Sequence, residues 1–211
     1  MTPDASGLAL FLAAAFAVAV TPGPGVFYVA ARTLAGGRGE GVASSFGTGL
    51  GGLVHVAAGA LGVSALVMAS AQAFTVLKLA GAAYLVWLGI KTIREARRVL
   101  PPERAVATGA ARAFREGVVV EALNPKTAAF FLAFIPQFVN PAQGKVALQF
   151  AALGLVSVAL NTLVDVAVAC AASRARDGLA RRPGLIRQLR EASGAVLCGL
   201  GASLAFARRA G

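Results

Sequence analysis

Thr21-Pro22-Gly23-Pro24-Gly25 interrupts an apolar run that extends over residues 7–31, and this stretch decides the fold. Proline has no N–H, so the two prolines leave the carbonyls of Val18 and Val20 without their usual intrahelical partners. In a lipid bilayer each unpaired group costs several kcal/mol, so such a break is tolerated only where it faces protein or a water-filled cavity. We therefore expect the chain to be built around a cavity at this break.

The composition indicates a membrane protein. Of 211 residues, 57% are hydrophobic and 14% are charged, whereas a soluble domain carries about 25% charged residues. The formal net charge of +11 comes mostly from bases between long apolar runs, with two in residues 32–40, seven in 91–115 and six in 174–190. The positive-inside rule predicts this pattern for cytoplasmic loops. No basic helix is interleaved with aromatic residues, which argues against nucleic acid as a partner.

Six apolar runs are candidates to cross a bilayer, which takes about 20 residues. The N-terminus lacks the positive region of a signal peptide, so we interpret the first run as a span. Basic segments alternate with uncharged ones between the runs, which predicts both termini outside and the first, third and fifth loops in the cytoplasm. The runs are residues 7–31, 41–68, 72–93, 116–139, 146–172 and 193–207.

A second break lies in the fourth run, at Asn124-Pro125-Lys126. Pro125 frees the carbonyl of Glu121, and Lys126 places a cation where lipid would make it costly. The first helix of each half of the chain is thus interrupted by a polar motif that contains proline. Interrupted helices at matching positions of two halves are typical of the binding site of a transporter.

These features predict an all-α fold with six transmembrane helices, arranged as two inverted three-helix repeats. The repeats must be inverted because each half has an odd number of spans. We predict a single transporter domain over residues 1–211, with halves at about 1–93 and 114–211 and a cytoplasmic linker at 94–113.

The two breaks are predicted at the same depth in the membrane. The first precedes Arg32 by about nine residues and the second follows Glu116 by about nine, which is roughly 14 Å from the cytoplasmic interface at the helical rise. This distance is close to the midplane of a hydrocarbon core about 30 Å thick. The two breaks are therefore expected to meet.

In their order along the chain, these motifs resemble the LysE/RhtB family of amino-acid exporters, which are small bacterial carriers with six spans. The resemblance implies a multi-pass protein of the inner membrane that exports amino acids or related small metabolites, driven by the proton gradient. Residues 140–211 resemble the family mainly in hydropathy. The matching pieces are residues 21–25, 36–52, 77–89 and 114–117, Asn124-Pro125-Lys126, Phe130-Phe131 and residues 136–138.

We assign the substrate site to the two breaks, at residues 21–25 and 124–126. The N–H groups that follow each break, from Gly25 and from Thr127 onward, suit a substrate carboxylate, because helix N-termini carry unused donors and partial positive charge. The carbonyls that the prolines free suit an ammonium group. The alternative is that both motifs only kink helices for packing.

Three ionisable residues are candidates for proton coupling. Asp165 leads, because an ionisable residue in the middle of a span is a functional candidate and protonation would release a cation that it holds. The alternative is a static pair of Asp165 with Lys126 or Arg174. Glu121 comes second, with a solvated position as its alternative. His55 comes third, because a lone histidine is often simply a packed, hydrogen-bonded residue.

Enzymatic and ATP-driven functions find no support in the sequence. It contains no GxSxG elbow, HExxH motif, Walker-type loop or dinucleotide fingerprint. We predict a secondary transporter without cofactor or metal, whose partners are an amino acid, protons and the lipid bilayer. Gly47 and Gly51 favour close helix packing, and such small-residue faces permit a homodimer. The alternative is a non-transporting membrane scaffold or a subunit of a larger complex, which leaves two breaks at one depth unexplained.

Overall fold

The computed structural model describes residues 5–63, 71–96, 106–174 and 183–206, and these residues are almost entirely helical, with no β-strand among them. The predicted all-α class is thereby confirmed for this part of the chain. The helices are α1 (Ala5–Val20), α2 (Pro24–Ala58), α3 (Ala71–Ala96), α4 (Ala110–Ala122), α5 (Pro125–Ala129), α6 (Val146–Arg174) and α7 (Pro183–Phe206). A short π segment follows α2 (Gly59–Val63), and a π segment and a 3-10 segment follow α5 (Phe130–Phe134 and Ile135–Phe138). Another 3-10 segment lies in the loop before α6 (Pro141–Gln143).

Several of these helices are long and apolar enough to cross a membrane. Thr75–Ala96 and Val146–Arg174 satisfy this by themselves. The number rises to four if α1 and α2 form one bent span, and α4 with the α5 region forms another. The apolar part of α7, Gly194–Phe206, is shorter. These helices indicate a membrane protein.

The predicted loop at residues 32–40 is wrong, because the chain is helical there except at Gly37. Gly37 has φ 82° and ψ −174°, a conformation that is open to glycine and strained for other residues. The chain reverses direction at this residue, and Gly41 lies against Thr33 across the turn. The charges in this segment suggested a loop, but one glycine is enough to reverse the chain. We call residues 24–36 the first limb of α2 and residues 38–58 its second limb.

Both limbs of α2 pack along α4, the first antiparallel to it and the second parallel. Glycines allow the second limb to approach closely, because a Cβ at Gly47 or Gly51 would collide with the backbone of α4. The predicted helix packing at these two glycines is confirmed. The contacts that set the directions are Gly25 with Glu121, Tyr28 with Ala113, Gly47 with Phe114 and Gly51 with Val118.

Two further pairs of helices pack antiparallel to each other. The second limb of α2 packs against α6, and α3 packs against α7, again through glycines that let the backbones come close. Each pair joins a helix of the first half of the chain to one of the second half. The contacts are Gly49 with Thr162, Gly52 with Val158, Gly89 with Gly194, and Gly201 with Ala82.

Two helix boundaries differ from the predicted runs. Helix α4 begins at Ala110, so the end of the predicted linker at 94–113 is helical, and α7 begins at Pro183 instead of 193. Both extensions carry charged residues that form i,i+4 ion pairs, Arg112 with Glu116 and Arg187 with Glu191. Such pairs support exposed helix beyond the apolar run. Residues 97–105 of the predicted linker and residues 175–182 of the predicted fifth loop lie outside the described residues.

Candidate functional site

The two predicted helix breaks are present, because each motif ends one helix and begins the next. Helix α1 ends at Val20 and α2 begins at Pro24, while α4 ends at Ala122 and α5 begins at Pro125. Pro24 and Pro125 each occupy the first turn of a new helix, where a missing N–H is harmless. At the second break Asn124 caps α5, since its side chain accepts from the backbone N–H of Lys126 at 3.0 Å.

The side chain of Lys126 brings the two breaks into contact. Its Nζ donates to the carbonyl oxygens of Val18 at 3.0 Å and Thr21 at 2.9 Å. Pro22 has no N–H to bond the carbonyl of Val18, so this carbonyl is free to accept another donor. It accepts from an ammonium group, as predicted, but that group is the side chain of Lys126 and not a substrate. The aliphatic stem of Lys126 passes Gly23, where a Cβ would lie 3.2 Å from the lysine Cδ.

Glu121 is buried at the second break, so the solvated alternative is wrong. Its carboxylate accepts from Asn124 Nδ2 at 2.8 Å and from Thr127 Oγ1 at 2.6 Å. Its backbone carbonyl, which Pro125 frees, lies 2.9 Å from His55 Nε2. Because a carbonyl only accepts, this bond requires a proton on Nε2. His55 is therefore a hydrogen-bonded residue, and it is the second donor to this carbonyl, which also accepts from the backbone N–H of Asn124 at 3.0 Å.

Asp165 is buried between α6 and the second limb of α2, with 5% of its surface exposed. Its Oδ2 atom lies 2.7 Å from the hydroxyl of Thr48. Among the described residues neither Lys126 nor Arg174 forms an ion pair with it, so the static-pair alternatives are wrong. For its other carboxylate oxygen no hydrogen bond is found within the described ranges.

Glu121, Lys126 and Asp165 line one cavity together. The centre of a water-sized sphere can occupy only about 10 Å³ of it, which is space for about one water molecule. The site is therefore closed, and an amino acid does not fit in this conformation. Of the first break only Gly25 reaches the lining, and Pro125 and His55 are also outside it. The polar residues of the lining are Thr48, Glu121, Asn124, Lys126, Thr127, Asn161 and Asp165.

Some of the backbone N–H groups that were predicted to be free for a substrate are hydrogen-bonded within the protein. Phe27 N–H donates to the carbonyl of Gly23 at 2.9 Å, and Ala128 N–H donates to that of Asn124 at 3.0 Å. No hydrogen bond is found in the described part of the chain for the N–H groups of Gly25 and Val26, which both line the cavity. An anion in this cavity therefore has two backbone donors at the start of α2.

A polar network joins both limbs of α2 to the start of α4 and to the segment just before it. Arg32 pairs with Glu116 at 2.7 Å and donates to Thr108 Oγ1 at 3.0 Å. The hydroxyl of Tyr28 lies 2.8 Å from the carbonyl oxygen of Ala113 and 3.2 Å from Glu116 Oε2, and its single hydrogen is directed at these two acceptors. Glu40, which is buried, accepts from the backbone N–H of Thr108 at 2.8 Å. We call Tyr28, Arg32, Glu40, Thr108 and Glu116 the polar latch.

Phenylalanines pack on the other side of the cavity. Phe131 lines the cavity, and its ring centroid lies 6.1 Å from that of Phe130 and 6.2 Å from that of Phe150. Phe130 in turn stacks on Phe134 at 5.2 Å. We call these four residues the aromatic cluster. The polar latch and the aromatic cluster thus lie at opposite ends of the broken helices.

Thr48 was not predicted from the sequence, and Thr127 was predicted only as a backbone donor, not for its hydroxyl. Both are polar residues placed where only the fold brings a carboxylate next to them, Asp165 for the first and Glu121 for the second. A local signal exists only for Thr127, which lies in the first turn after Pro125, where side chains commonly bond to neighbouring polar groups.

Comparisons with known proteins agree with this architecture. The family model described as LysE type translocator matches residues 16–208. The chain is 33% identical over 195 residues to the homoserine/homoserine lactone efflux protein of Salmonella typhimurium, which covers 92% of this chain and 93% of that protein. It is 31% identical to an uncharacterized membrane protein of Vibrio cholerae, with 94% and 96% covered. It is 27% identical to the leucine efflux protein of Enterobacter sp., with 62% of each covered. No solved structure matches the chain.

Proposed function

Because the chain belongs to the LysE type translocator family, we propose that it is a secondary transporter that exports a neutral amino acid in exchange for protons. The similar proteins are named for the efflux of homoserine, homoserine lactone and leucine. Homoserine and leucine are amino acids with uncharged side chains. The charges that line the cavity favour such substrates once it opens, because Glu121 and Lys126 are bonded within the protein and leave no free charge for a charged side chain.

The observation that carries the proposal is the contact between the two broken helices at Lys126. A buried lysine without an ion pair is costly in a membrane protein, and such residues mark transport pathways. Two proline kinks that served only packing would not need this cation. The contact therefore supports a binding site at the breaks over simple helix kinks.

The substrate pose follows from the groups that remain unbonded. The ammonium group of the amino acid binds the ionised carboxylate of Asp165, and its carboxylate binds the backbone N–H groups of Gly25 and Val26. Helix N-termini favour anions, so the start of α2 is a suitable partner. The remaining break residues, from Thr21 to Pro24 and from Asn124 to Lys126, position these groups.

Proton exchange follows from the same carboxylate. When the cavity faces the cytoplasm, ionised Asp165 binds the ammonium group of the substrate. When it faces outside, a proton neutralises Asp165 and the substrate leaves. The protonated carrier returns and releases its proton to the cytoplasm. Glu121 and His55 bond to the break itself and are reserve candidates for this step.

The closed cavity requires two alternating openings. Opening to the cytoplasm separates the first limb of α2 from α4 and breaks the polar latch. Opening to the outside displaces the aromatic cluster. The latch carries charges that water stabilises once it opens, whereas the aromatic cluster seals the cavity by excluding water.

We propose six spans in two inverted repeats, in the inner membrane of a bacterium, with both termini outside. The reversal at Gly37 supports this count, because it makes α1 with the first limb one broken span and the second limb another. The antiparallel packing of matching helices from the two halves supports the inversion. The basic segments support the orientation.

Transport by the purified full-length chain tests this function. Proteoliposomes containing labelled homoserine or leucine are given an inward proton gradient, and we expect efflux that a protonophore abolishes. Asp165→Asn is expected to reduce efflux at least about tenfold and to remove its pH dependence, because the amide neither binds ammonium strongly nor takes up a proton. Efflux of both amino acids no faster than from protein-free liposomes would refute the proposal.

A further inference from the structure

The hydroxyl of Thr48 has two partners and a single hydrogen. Its Oγ1 atom lies 2.7 Å from Asp165 Oδ2 and 2.8 Å from the backbone carbonyl oxygen of Ser45. A hydroxyl donates one hydrogen and accepts through its lone pairs, and a carbonyl only accepts. Thr48 therefore cannot donate to both partners at once, and the protonation of Asp165 decides which one receives its hydrogen.

Each protonation state of Asp165 has a complete arrangement. When the carboxylate is ionised, Thr48 donates to it. When the carboxyl group is protonated, its O–H donates to Thr48 Oγ1, and Thr48 turns its own hydrogen to the carbonyl of Ser45. The change requires rotation of one hydroxyl hydrogen and no movement of heavier atoms.

We propose that Thr48 is the positioning residue of the proton-coupling site, because its hydroxyl reverses direction with the protonation of Asp165 and keeps α2 joined to α6 in both states. This inference rests on the proposed function of Asp165 and adds the residue that allows a buried carboxylate to gain and lose a proton without losing its partner. Thr48 and Asp165 are 3% and 5% exposed, so bulk water does not replace the hydroxyl.

The helix interface around the pair is tight. A Cβ at Gly52 would lie 3.0 Å from Val158 Cγ2, and one at Gly49 would lie 2.6 Å from Thr162 Oγ1. Both contacts lie on one side of Asp165, and on its other side a Cβ at Gly41 would lie 3.0 Å from Ala169 Cβ. They hold the second limb of α2 close enough to α6 for a direct hydrogen bond.

Charged groups from the other elements also face Asp165. Glu121 of α4 and Lys126 of α5 line the same cavity, and His55 of α2 bonds to the carbonyl of Glu121. On α6 itself the next charged residue is Arg174, at the helix end. Glu121 and Lys126 have partners of their own, so Thr48 is the hydrogen-bond partner found for Asp165 among the described residues.

Thr48→Val tests the proposal, because it keeps the shape of the side chain and removes the hydroxyl. Hydrogen bonds to charged groups are stronger than those to neutral groups, so the ionised form of Asp165 loses more than the protonated form. The midpoint of the pH dependence of export should therefore move up by about one unit. Thr48→Ser should restore the original midpoint.

Thr162→Val is the matched control. Within the described part of the chain, its hydroxyl bonds to the carbonyl of Val158 in its own helix, at 2.9 Å, and it lies at the same interface. The pH dependence of export by this variant should equal that of the unchanged protein. A similar shift in Thr162→Val would show that loosening of the interface causes the effect, and would overturn the proposal.

Infrared difference spectroscopy of the reconstituted full-length protein supplies a readout that does not need transport. The C=O band of protonated Asp165 is identified by its loss in Asp165→Asn. In Thr48→Val this band should titrate about one pH unit higher and move to higher frequency, because the carboxyl O–H loses its acceptor. Thr48→Ala replaces the valine variant if the latter does not insert into the membrane.

The outcomes separate the inference from the proposed function. An unchanged titration midpoint in the hydroxyl-free variant overturns the role of Thr48, as does weaker export with an unaltered pH dependence. If the unchanged protein exports nothing but the band shifts as expected, the proposed transport fails and the link between Thr48 and Asp165 stands.

Discussion

At the residue scale, Lys126 replaces a backbone donor that proline removes. Pro22 has no N–H, and the carbonyl of Val18 instead accepts from an ammonium group that arrives from the other half of the chain. His55 does the same for the carbonyl that Pro125 frees at Glu121. These two carbonyls also accept from the backbone N–H groups of Thr21 and Asn124, so side chains and backbone together satisfy the breaks, as a membrane requires.

Replacing Lys126 with methionine should abolish export while leaving the protein folded. Loss of the ammonium leaves the carbonyl of Thr21 without its donor, at about 1–3 kcal/mol, but it also removes a buried charge that costs several kcal/mol. These effects oppose each other, so we expect thermal unfolding in detergent to change little. Export in proteoliposomes should fall at least about tenfold, because each 1.4 kcal/mol lost from binding is a factor of ten.

Lys91→Met is the control for this prediction. Lys91 is about half exposed and pairs with Glu95 on the surface of α3, and exposed pairs contribute about 0–1 kcal/mol. Export should therefore equal that of the unchanged protein. If Lys126→Met exported at the same rate as Lys91→Met, the contact between the breaks would have no part in transport.

At the element scale, the reversal at Gly37 lets one continuous helical segment serve as two antiparallel limbs. The first limb carries Tyr28 and Arg32 to the start of α4, and the second carries Thr48 to Asp165. Gly37 therefore links the limb that carries Tyr28 and Arg32 of the polar latch to the limb whose Thr48 contacts Asp165.

Gly37→Ala should destabilise the protein by about 1–3 kcal/mol, because its φ and ψ lie in a region that other residues rarely adopt. Gly39→Ala is a close control, since Gly39 is exposed, has nothing within 4 Å of an added Cβ and lies in regular helix. Alanine there should stabilise the helix by about 0.5–1 kcal/mol. Denaturation in detergent measures both changes. Equal stability of the two variants would contradict the turn at Gly37.

The breaks were predictable because their causes are local. Prolines and glycines within an apolar run mark an interruption, and counting residues from Arg32 and Glu116 placed both interruptions at one depth. A turn between residues 32 and 40 was predicted, but its restriction to Gly37 within a helical segment was not, since Arg32, Arg38 and Glu40 suggest a solvated loop. Only the fold shows that Arg32 and Glu40 bind residues 106–116.

The contact between Thr48 and Asp165 was also beyond sequence reasoning. The two residues are 117 positions apart, and a threonine in a glycine-rich helix has no distinctive local pattern. The sequence did identify Asp165 as the leading acid, because a carboxylate within an apolar run is rare. Its partner depends on which faces of α2 and α6 meet.

At the scale of the whole molecule, the site lies between two closures of different chemistry. The polar latch holds one side by hydrogen bonds and an ion pair, and the aromatic cluster holds the other by packing. An ion pair that is partly exposed breaks at low cost, whereas packed aromatic rings must separate together. The closed conformation should therefore respond most easily to changes in the latch.

Glu116→Gln should open the side of the molecule that carries the latch, because it removes the ion pair with Arg32. Access is measured with a cysteine reporter at Asn161, in a background with Cys170→Ser and Cys198→Ser. A membrane-impermeant maleimide applied from the cytoplasmic side should label the reporter several-fold faster in this variant. Glu95→Gln, which removes the exposed pair with Lys91, should leave the labelling rate unchanged. Equal rates in the two variants would show that the latch does not control access.

The small volume of the cavity has a consequence for the energy supply of the cell. Protons cross membranes rapidly along continuous files of water, and between the latch and the aromatic cluster the described part of the protein has space for about one water molecule. We therefore expect the closed conformation to conduct protons poorly. If the chain exports its substrate as proposed, idle copies would then leave intact the electrochemical gradient that other transporters and ATP synthesis use.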